Sequence, residues 1–219
     1  MKVKFIFLLA AFTATVASCK KESLTGDGSV QTQERDVNTF TKVATQGSTT
    51  VHIVQGSDFE VKVKGYANLL PYFKTTVENG TLSVRYENTR NVRNDNSEVF
   101  ITMPVLTGLS SSGSGDIHAA GEFSNNTNFD VHISGSADIT VENGAAENFV
   151  LRSSGSGSFD SFGFTSKNAD IVISGSGEAK ITVDQKLKVK INGSGSVYYK
   201  GDPATIDNDI SGSGKVIKQ

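Results

Sequence analysis

Apolar and polar positions alternate along most of this chain, and in its second half the alternation itself repeats. One apolar column reads Ile117, Ile139, Phe159, Ala179, Val197 and Val216; a second reads Leu109, Val131, Leu151, Ile171, Val189 and Asn208. A third, two residues earlier, reads Thr107, Phe129, Phe149, Ala169, Leu187 and Ile206. One residue after the second column runs a mostly polar one: Ser110, His132, Arg152, Val172, Lys190 and Asp209. Period-two alternation predicts strands with one buried face. Recurrence about every twenty residues predicts that the strands belong to stacked copies of one unit.

The columns are phased by a short phrase. It reads Ser112-Gly113-Ser114-Gly115, then Ser134-Gly135-Ser136-Ala137, Ser154-Gly155-Ser156-Gly157, Ser174-Gly175-Ser176-Gly177, Asn192-Gly193-Ser194-Gly195 and Ser211-Gly212-Ser213-Gly214. A unit this short cannot bury its own apolar face, but equivalent residues piled on one another form a continuous core. The prediction is an all-β parallel solenoid with coils of about twenty residues, each a strand, a glycine corner, a second strand and a return. Glycine at the corner indicates a backbone that a Cβ would oppose. The serines are expected to stack in ladders whose hydroxyls bond neighbouring turns. Ala137, in place of the second glycine, predicts a corner that avoids the left-handed conformation or carries a small cost.

Upstream, residues 49–55, 59–64, 75–77, 81–86 and 99–103 also alternate. Asn79-Gly80 between two such runs is a hairpin signal or a solenoid corner. Residues 88–98 are hydrophilic and predict an exposed loop; Pro104 ends the strand before the glycine phrases begin.

Composition adds location. Twenty-two glycines, three prolines and no tryptophan in 219 residues fit an all-β protein. The net charge of −2 offers no pull on nucleic acid. Lys2 and Lys4 followed by the apolar run 5–16 form a leader too short to span a bilayer as a stable helix. Val16-Ala17-Ser18-Cys19 resembles the lipobox of bacterial lipoproteins, which implies removal of residues 1–18 and lipidation of Cys19. Cys19 is the sole cysteine, so no internal disulfide can form. Residues 19–34 read as a flexible tether, and 35–219 as the folded domain, split into 35–105 and the repeat array 106–219.

Arg35-Asp36-Val37, Phe40, Gly47, the run 51–56, Val61-Lys62-Val63, Asn68-Leu69-Leu70, Val77, Asn79-Gly80 and Leu82, with the glycine phrases that follow, make the chain similar to the auto-transporter adhesin head GIN domain family. The resemblance spans about residues 35–217. It implies a right-handed parallel β-helix and a cell-envelope lipoprotein typical of Bacteroidetes, with an adhesive role. It supplies no catalytic residues.

Candidate chemistry is sparse. No HExxH, CxxC or phosphate-loop pattern occurs. His52 and His132 fall at outward strand positions; His118 and His132 are candidates for neighbours on adjacent coils. The column after the phrase holds Asp116, Asp138, Ser158, Glu178, Ser196 and Lys215. Asp116 and Asp138, one strand spacing apart, are candidates for ligand binding, as a calcium site or as a carboxylate pair of the kind β-helix polysaccharide enzymes use, against the favoured alternative of a solvated corner. Tyr198 and Tyr199 are candidates for sugar stacking, since one of two adjacent strand residues faces outward. No metal or cofactor is expected.

The expectation is therefore a non-enzymatic cell-envelope adhesin, anchored by lipid at Cys19 to the outer membrane, periplasmic or surface-exposed, and presenting a repetitive face to an extracellular glycan or protein. A polysaccharide-active β-helix enzyme and a structural or signalling envelope component are the alternatives. An unpaired terminal coil would favour a homodimer unless residues 214–219, with their lysines, cap it.

Overall fold

The computed structural model describes residues 23–87 and 91–219. The leader 1–18 and Cys19 lie outside the described residues. The first part of the chain forms β1 (Ser23–Thr25), β2 (Val30–Glu34), β3 (Lys42–Gly47), β4 (Thr50–Gln55), β5 (Glu60–Tyr66), β6 (Phe73–Glu78), β7 (Thr81–Tyr86), β8 (Asn91–Arg93) and β9 (Glu98–Met103). Then come β10 (Gly108–Gly113) and four long strands that run around bends: β11 (Ile117–Gly135), β12 (Asp138–Gly155), β13 (Ser158–Gly175) and β14 (Glu178–Gly193). The chain closes with β15 (Ser196–Lys200), β16 (Thr205–Gly212) and β17 (Lys215–Lys218).

The predicted parallel solenoid is present, with about six turns of about 20 residues. In each coil a longer arm leads into the glycine corner, a shorter arm leaves it, and a bend returns the chain one rung up. The columns read from the sequence are the observed registers: Val131 aligns with Leu151, Ile171 and Val189, and Ile139 with Phe159, Ala179 and Val197. These side chains are buried and form one core, within which Phe149 lies 5.1 Å from Phe159 and 6.4 Å from Phe129, ring centre to ring centre.

The corner explains the phrase. Gly47, Gly113, Gly135, Gly155, Gly175, Gly193 and Gly212 form one in-register column. All have φ between +99° and +139°. A Cβ on any of the last six would lie 2.2–2.3 Å from the carbonyl oxygen of the glycine one rung below. That oxygen accepts a hydrogen bond from the next backbone N–H on the upper rung, as in Ser156 N to Gly135 O at 2.9 Å and Ser176 N to Gly155 O at 2.8 Å. The second glycine of each phrase has an ordinary φ. Ala137 and, on the rung of Gly47, Thr49 occupy that column with side chains, so the expectation that Ala137 avoids the left-handed region is met.

Gly47 marks a coil that the phrase alone does not reveal. β3 and β4 stack in register on β10 and β11. On their other side they carry β7 and β9. The coil of residues 42–55 is therefore inserted between the coil of residues 81–103 and the coil that begins at β10, out of chain order. Antiparallel strands close this end. β6 pairs with β7 through a two-residue turn with Asn79 and Gly80 both left-handed, which makes Asn79-Gly80 a hairpin. β5 pairs with β9, and β2 with β5.

Two expectations are corrected here. Residues 23–34, read as part of a tether, form β1 and β2; their side chains are mostly exposed, so backbone pairing to β5 and β8, not burial, orders them. The expected exposed loop contains β8 and is pinned: Asn94 Nδ2 donates to Gly26 O at 2.7 Å, and Tyr66 N to Asn96 Oδ1 at 3.0 Å. The Tyr86 hydroxyl, 2.7 Å from Asp95 Oδ1, is pushed above the usual tyrosine range by burial. At the opposite end β16 and β17 form the last described rung, on which Ile206 and Ile210 remain 43% and 39% exposed.

The corner geometry generates a prediction. Gly155→Ala, which forces a Cβ into the left-handed column, costs about 2 kcal/mol or more. Ala137→Gly costs no more than about 1 kcal/mol. Urea unfolding of the two variants, compared by midpoint at constant slope, checks the difference.

Candidate functional site

The outward positions of the solenoid form three surfaces: the corner ridge, the outside of the short arm, and the bends. On the ridge, Ser112, Ser134, Ser154, Ser174, Asn192 and Ser211 are stacked in register before the first glycine, and each is exposed. Ser114, Ser136, Ser156, Ser176, Ser194 and Ser213 form a second exposed ladder after it. Successive rungs are roughly 4.8 Å apart. The expected bonds between hydroxyls of neighbouring turns are absent from these ladders: the side chains point outward, and the inter-rung bonds at the corner are made by backbone N–H groups. The ridge therefore offers regularly spaced, uncharged hydrogen-bonding groups on a rigid edge.

Asp116 and Asp138 stand on the rim of the short arm, but as brackets between rungs. Asp116 Oδ1 accepts from Asp138 N at 2.9 Å. Asp138 Oδ1 accepts from Ser158 N at 3.2 Å and Ser158 Oγ at 2.6 Å. Each carboxylate reaches to the rung above, so the two act as hydrogen-bond acceptors between rungs and not as a free solvated corner. Tyr198 faces outward, in register with Lys180 and Ile217. Tyr199 points into the core and is 8% exposed, which corrects its assignment as a stacking residue.

The histidines pair differently from the expectation. His118 aligns with His52, because both lie on the short arm, whereas His132 lies on the long arm next to Ser110 and Arg152. Phe100, His52 and His118 stack on three successive rungs with ring centres 5.0 and 5.8 Å apart. His52 Nε2 is 3.6 Å from Glu98 Oε1. Lys64 Nζ lies 2.8 Å from Glu98 Oε2, and its hydrogen bond holds the Glu98 carboxyl below the usual glutamate range. This ring column could not be read in advance, because it depends on the inserted coil. Among the described residues no three His, Cys, Asp or Glu side chains come together to hold a metal ion.

The remaining charges are largely matched across rungs: Arg152 with Asp170 at 3.0 Å, Lys180 with Asp160 at 2.8 Å, and Lys190 with Asp209 at 2.7 Å. Such exposed pairs contribute little to stability.

A short-coiled parallel solenoid with polar outer columns is the class of protein that fold and surface define. Residues 39–203 match the family described as "putative auto-transporter adhesin, head GIN domain", and the chain belongs to that family. No curated protein is detectably similar in sequence. Among solved structures, a putative adhesin from Bacteroides fragilis NCTC 9343 is similar over 90% of this chain and 100% of its own, at 20% identity and a TM-score of 0.70. A putative adhesin from Parabacteroides distasonis ATCC 8503 covers the same shares at 21% identity and a TM-score of 0.62. A putative lipid binding protein from the same organism does so at 23% and 0.59. At these identities the likeness is one of fold.

Two measurements test the site geometry. Asp138→Ala lowers stability by roughly 1 kcal/mol through loss of its bonds to Ser158, while Asp138→Asn, which keeps an acceptor, retains most of it; thermal unfolding separates them. For Glu98 the depressed carboxyl contributes stability above about pH 4.3, its ordinary value. That contribution is lost as pH falls through its lower folded value. Glu98→Gln therefore shows a shallower acid-side loss than the wild type, by under about 1 kcal/mol because the pair is exposed.

Proposed function

We propose that this protein is a lipid-anchored cell-envelope adhesin, tethered to the outer membrane through Cys19, whose solenoid binds extracellular ligands through its repetitive outer surface. The observation that carries this reading is the pair of serine ladders on the corner ridge, exposed and free of charge along the rod. Equal spacing lets many weak contacts add along an extended partner, and a rigid backbone avoids the entropy of ordering loops on binding. Membership of an adhesin-type family supports the same reading. Catalysis draws no support from Asp116 and Asp138, because both carboxylates already bracket backbone N–H groups of the next rung.

The test has two parts. In bacteria fed labelled palmitate, the wild-type chain takes up label and fractionates with outer membranes, whereas Cys19→Ser does neither. The purified chain binds components of a glycan and matrix-protein array, and replacing Ser134, Ser154 and Ser174 together by lysine reduces that binding several-fold. An array on which the folded chain binds nothing would sink the adhesive reading; label that persists in Cys19→Ser would sink the anchor.

A further inference from the structure

The coils differ in length, and the differences collect in one place. From Gly113 to Gly135 the first glycines are 22 residues apart, then 20, 20 and, from Gly175 to Gly193, 18. The corner column and the long arms stay in register throughout, so the bends must absorb the difference. In the longest coil the register shifts between Ala119 and Glu122 and between Phe123 and Asn126. Asn125, at that second shift, is left-handed with φ +65°. The shortest coil skips residues of the coil below it: Ser161 and Thr165 pair with adjacent Ile181 and Thr182, and a second shift follows between Ser166 and Asn168. A long bend at one end and a short bend at the other leave a depression between them.

That depression has a volume of about 470 Å³, with Ala145, Ala146, Thr165 and Ser166 along it and Asp184 at its far end. A second, of about 450 Å³, adjoins it and shares Asn125, Asn126 and Thr127. Together they form a groove running across the rungs. Its groups are held in place. Asn126, 6% exposed, donates through Nδ2 to Leu106 O at 3.0 Å and Phe123 O at 3.1 Å, which leaves its Oδ1 as an acceptor. Beside the groove an amide ladder ties three coils together: Asn148 Nδ2 is 3.3 Å from Asn128 Oδ1, and Asn168 Nδ2 is 3.1 Å from Asn148 Oδ1.

The chemistry of the groove selects among ligands. Lys167 is neutralised by Glu147 and Lys42 by Asp130, both at 2.9 Å, and the remaining charge, Asp184, is negative, so the groove offers no cation cluster to an anion. β12 and β13, which form its floor, are already paired on both sides, so the floor offers no free edge to a peptide. What it presents is a floor of small side chains with amides and hydroxyls around it. These groups suit a ligand that is uncharged, elongated and rich in hydroxyls.

We propose that this groove is a binding site for a short, uncharged oligosaccharide segment lying across the rungs. The inference rests on the adhesive reading and gives it a discrete site, apart from the serine ridge. Asn126 and Asn125 supply amide contacts, Thr127 and Thr165 hydroxyls, and Ala145 and Ala146 the flat floor against which a sugar ring packs.

Titration calorimetry of the full-length chain tests it, with uncharged gluco-, manno- and xylo-configured hexasaccharides and one sulfated hexasaccharide. At least one uncharged sugar binds and the sulfated one does not. Ala145→Trp, which fills the floor, weakens binding by roughly tenfold or more; Thr165→Val, which removes only a hydroxyl, weakens it several-fold at unchanged unfolding temperature. Failure of every uncharged hexasaccharide to bind, equal binding of the sulfated one, or full affinity in both variants overturns the groove. Array binding that survives any of those results leaves the adhesive reading standing, so the two failures are distinguishable.

Discussion

The contact on which this structure depends is the approach of one backbone to another at the glycine corner. Each first glycine presents its Cα face to the carbonyl of the glycine below, at a separation that leaves no room for a Cβ. The same carbonyl accepts the N–H of the residue that follows the glycine above. Close approach and hydrogen bond thus require each other, and both require a left-handed residue without a side chain. Once the corner is locked, the flanking strands can pair only in one register, and the apolar columns stack as a consequence.

A stack of identical rungs has two exposed ends, and an unpaired strand edge invites further pairing. At the end near the N-terminus the chain turns its strands around. β6, β5 and β2 run antiparallel to the strands they cover. The coil carrying Gly47 is inserted within the stack, so that the segment between residues 56 and 107 can build this end before the chain enters the regular array. β2 shows that backbone pairing alone can order a segment: its side chains are almost all exposed, and its five residues are held by the edge of β5.

The outer face follows different rules from the core. Charges there are matched rung to rung, and aspartates at the corner serve as brackets on the rung above, so acidic residues stabilise stacking without gathering into a site. Because the corner fixes every coil on one side, insertions and deletions are accommodated at the bends. The variable side of the solenoid is consequently the side on which a groove can form, while the regular side carries the ladders.

Local covalent facts and short-range periodicity decided a large part of this protein in the sequence itself. Glycine spacing set the coil, and alternation set which residues face inward. Ile139 over Phe159 and Val131 over Leu151 were legible because stacking in register demands that equivalent positions coincide. The two-residue turn at Asn79-Gly80 was legible as a strong hairpin signal for the same local reason. Tertiary structure decided what depends on pairing between segments distant in the chain. The rung of Gly47 lies against Gly113, 66 residues away, so the stacking of Phe100, His52 and His118 could not be inferred from a twenty-residue repeat. Tyr199 and Tyr198 were indistinguishable until the strand's facing was fixed. Asp116 and Asp138 shared a column in the sequence, yet only coordinates show their oxygens turned to the next rung's N–H groups. The groove lies between these cases: unequal coil lengths are written in the glycine spacing, but that the bends take up the difference follows from the rigidity of the corner.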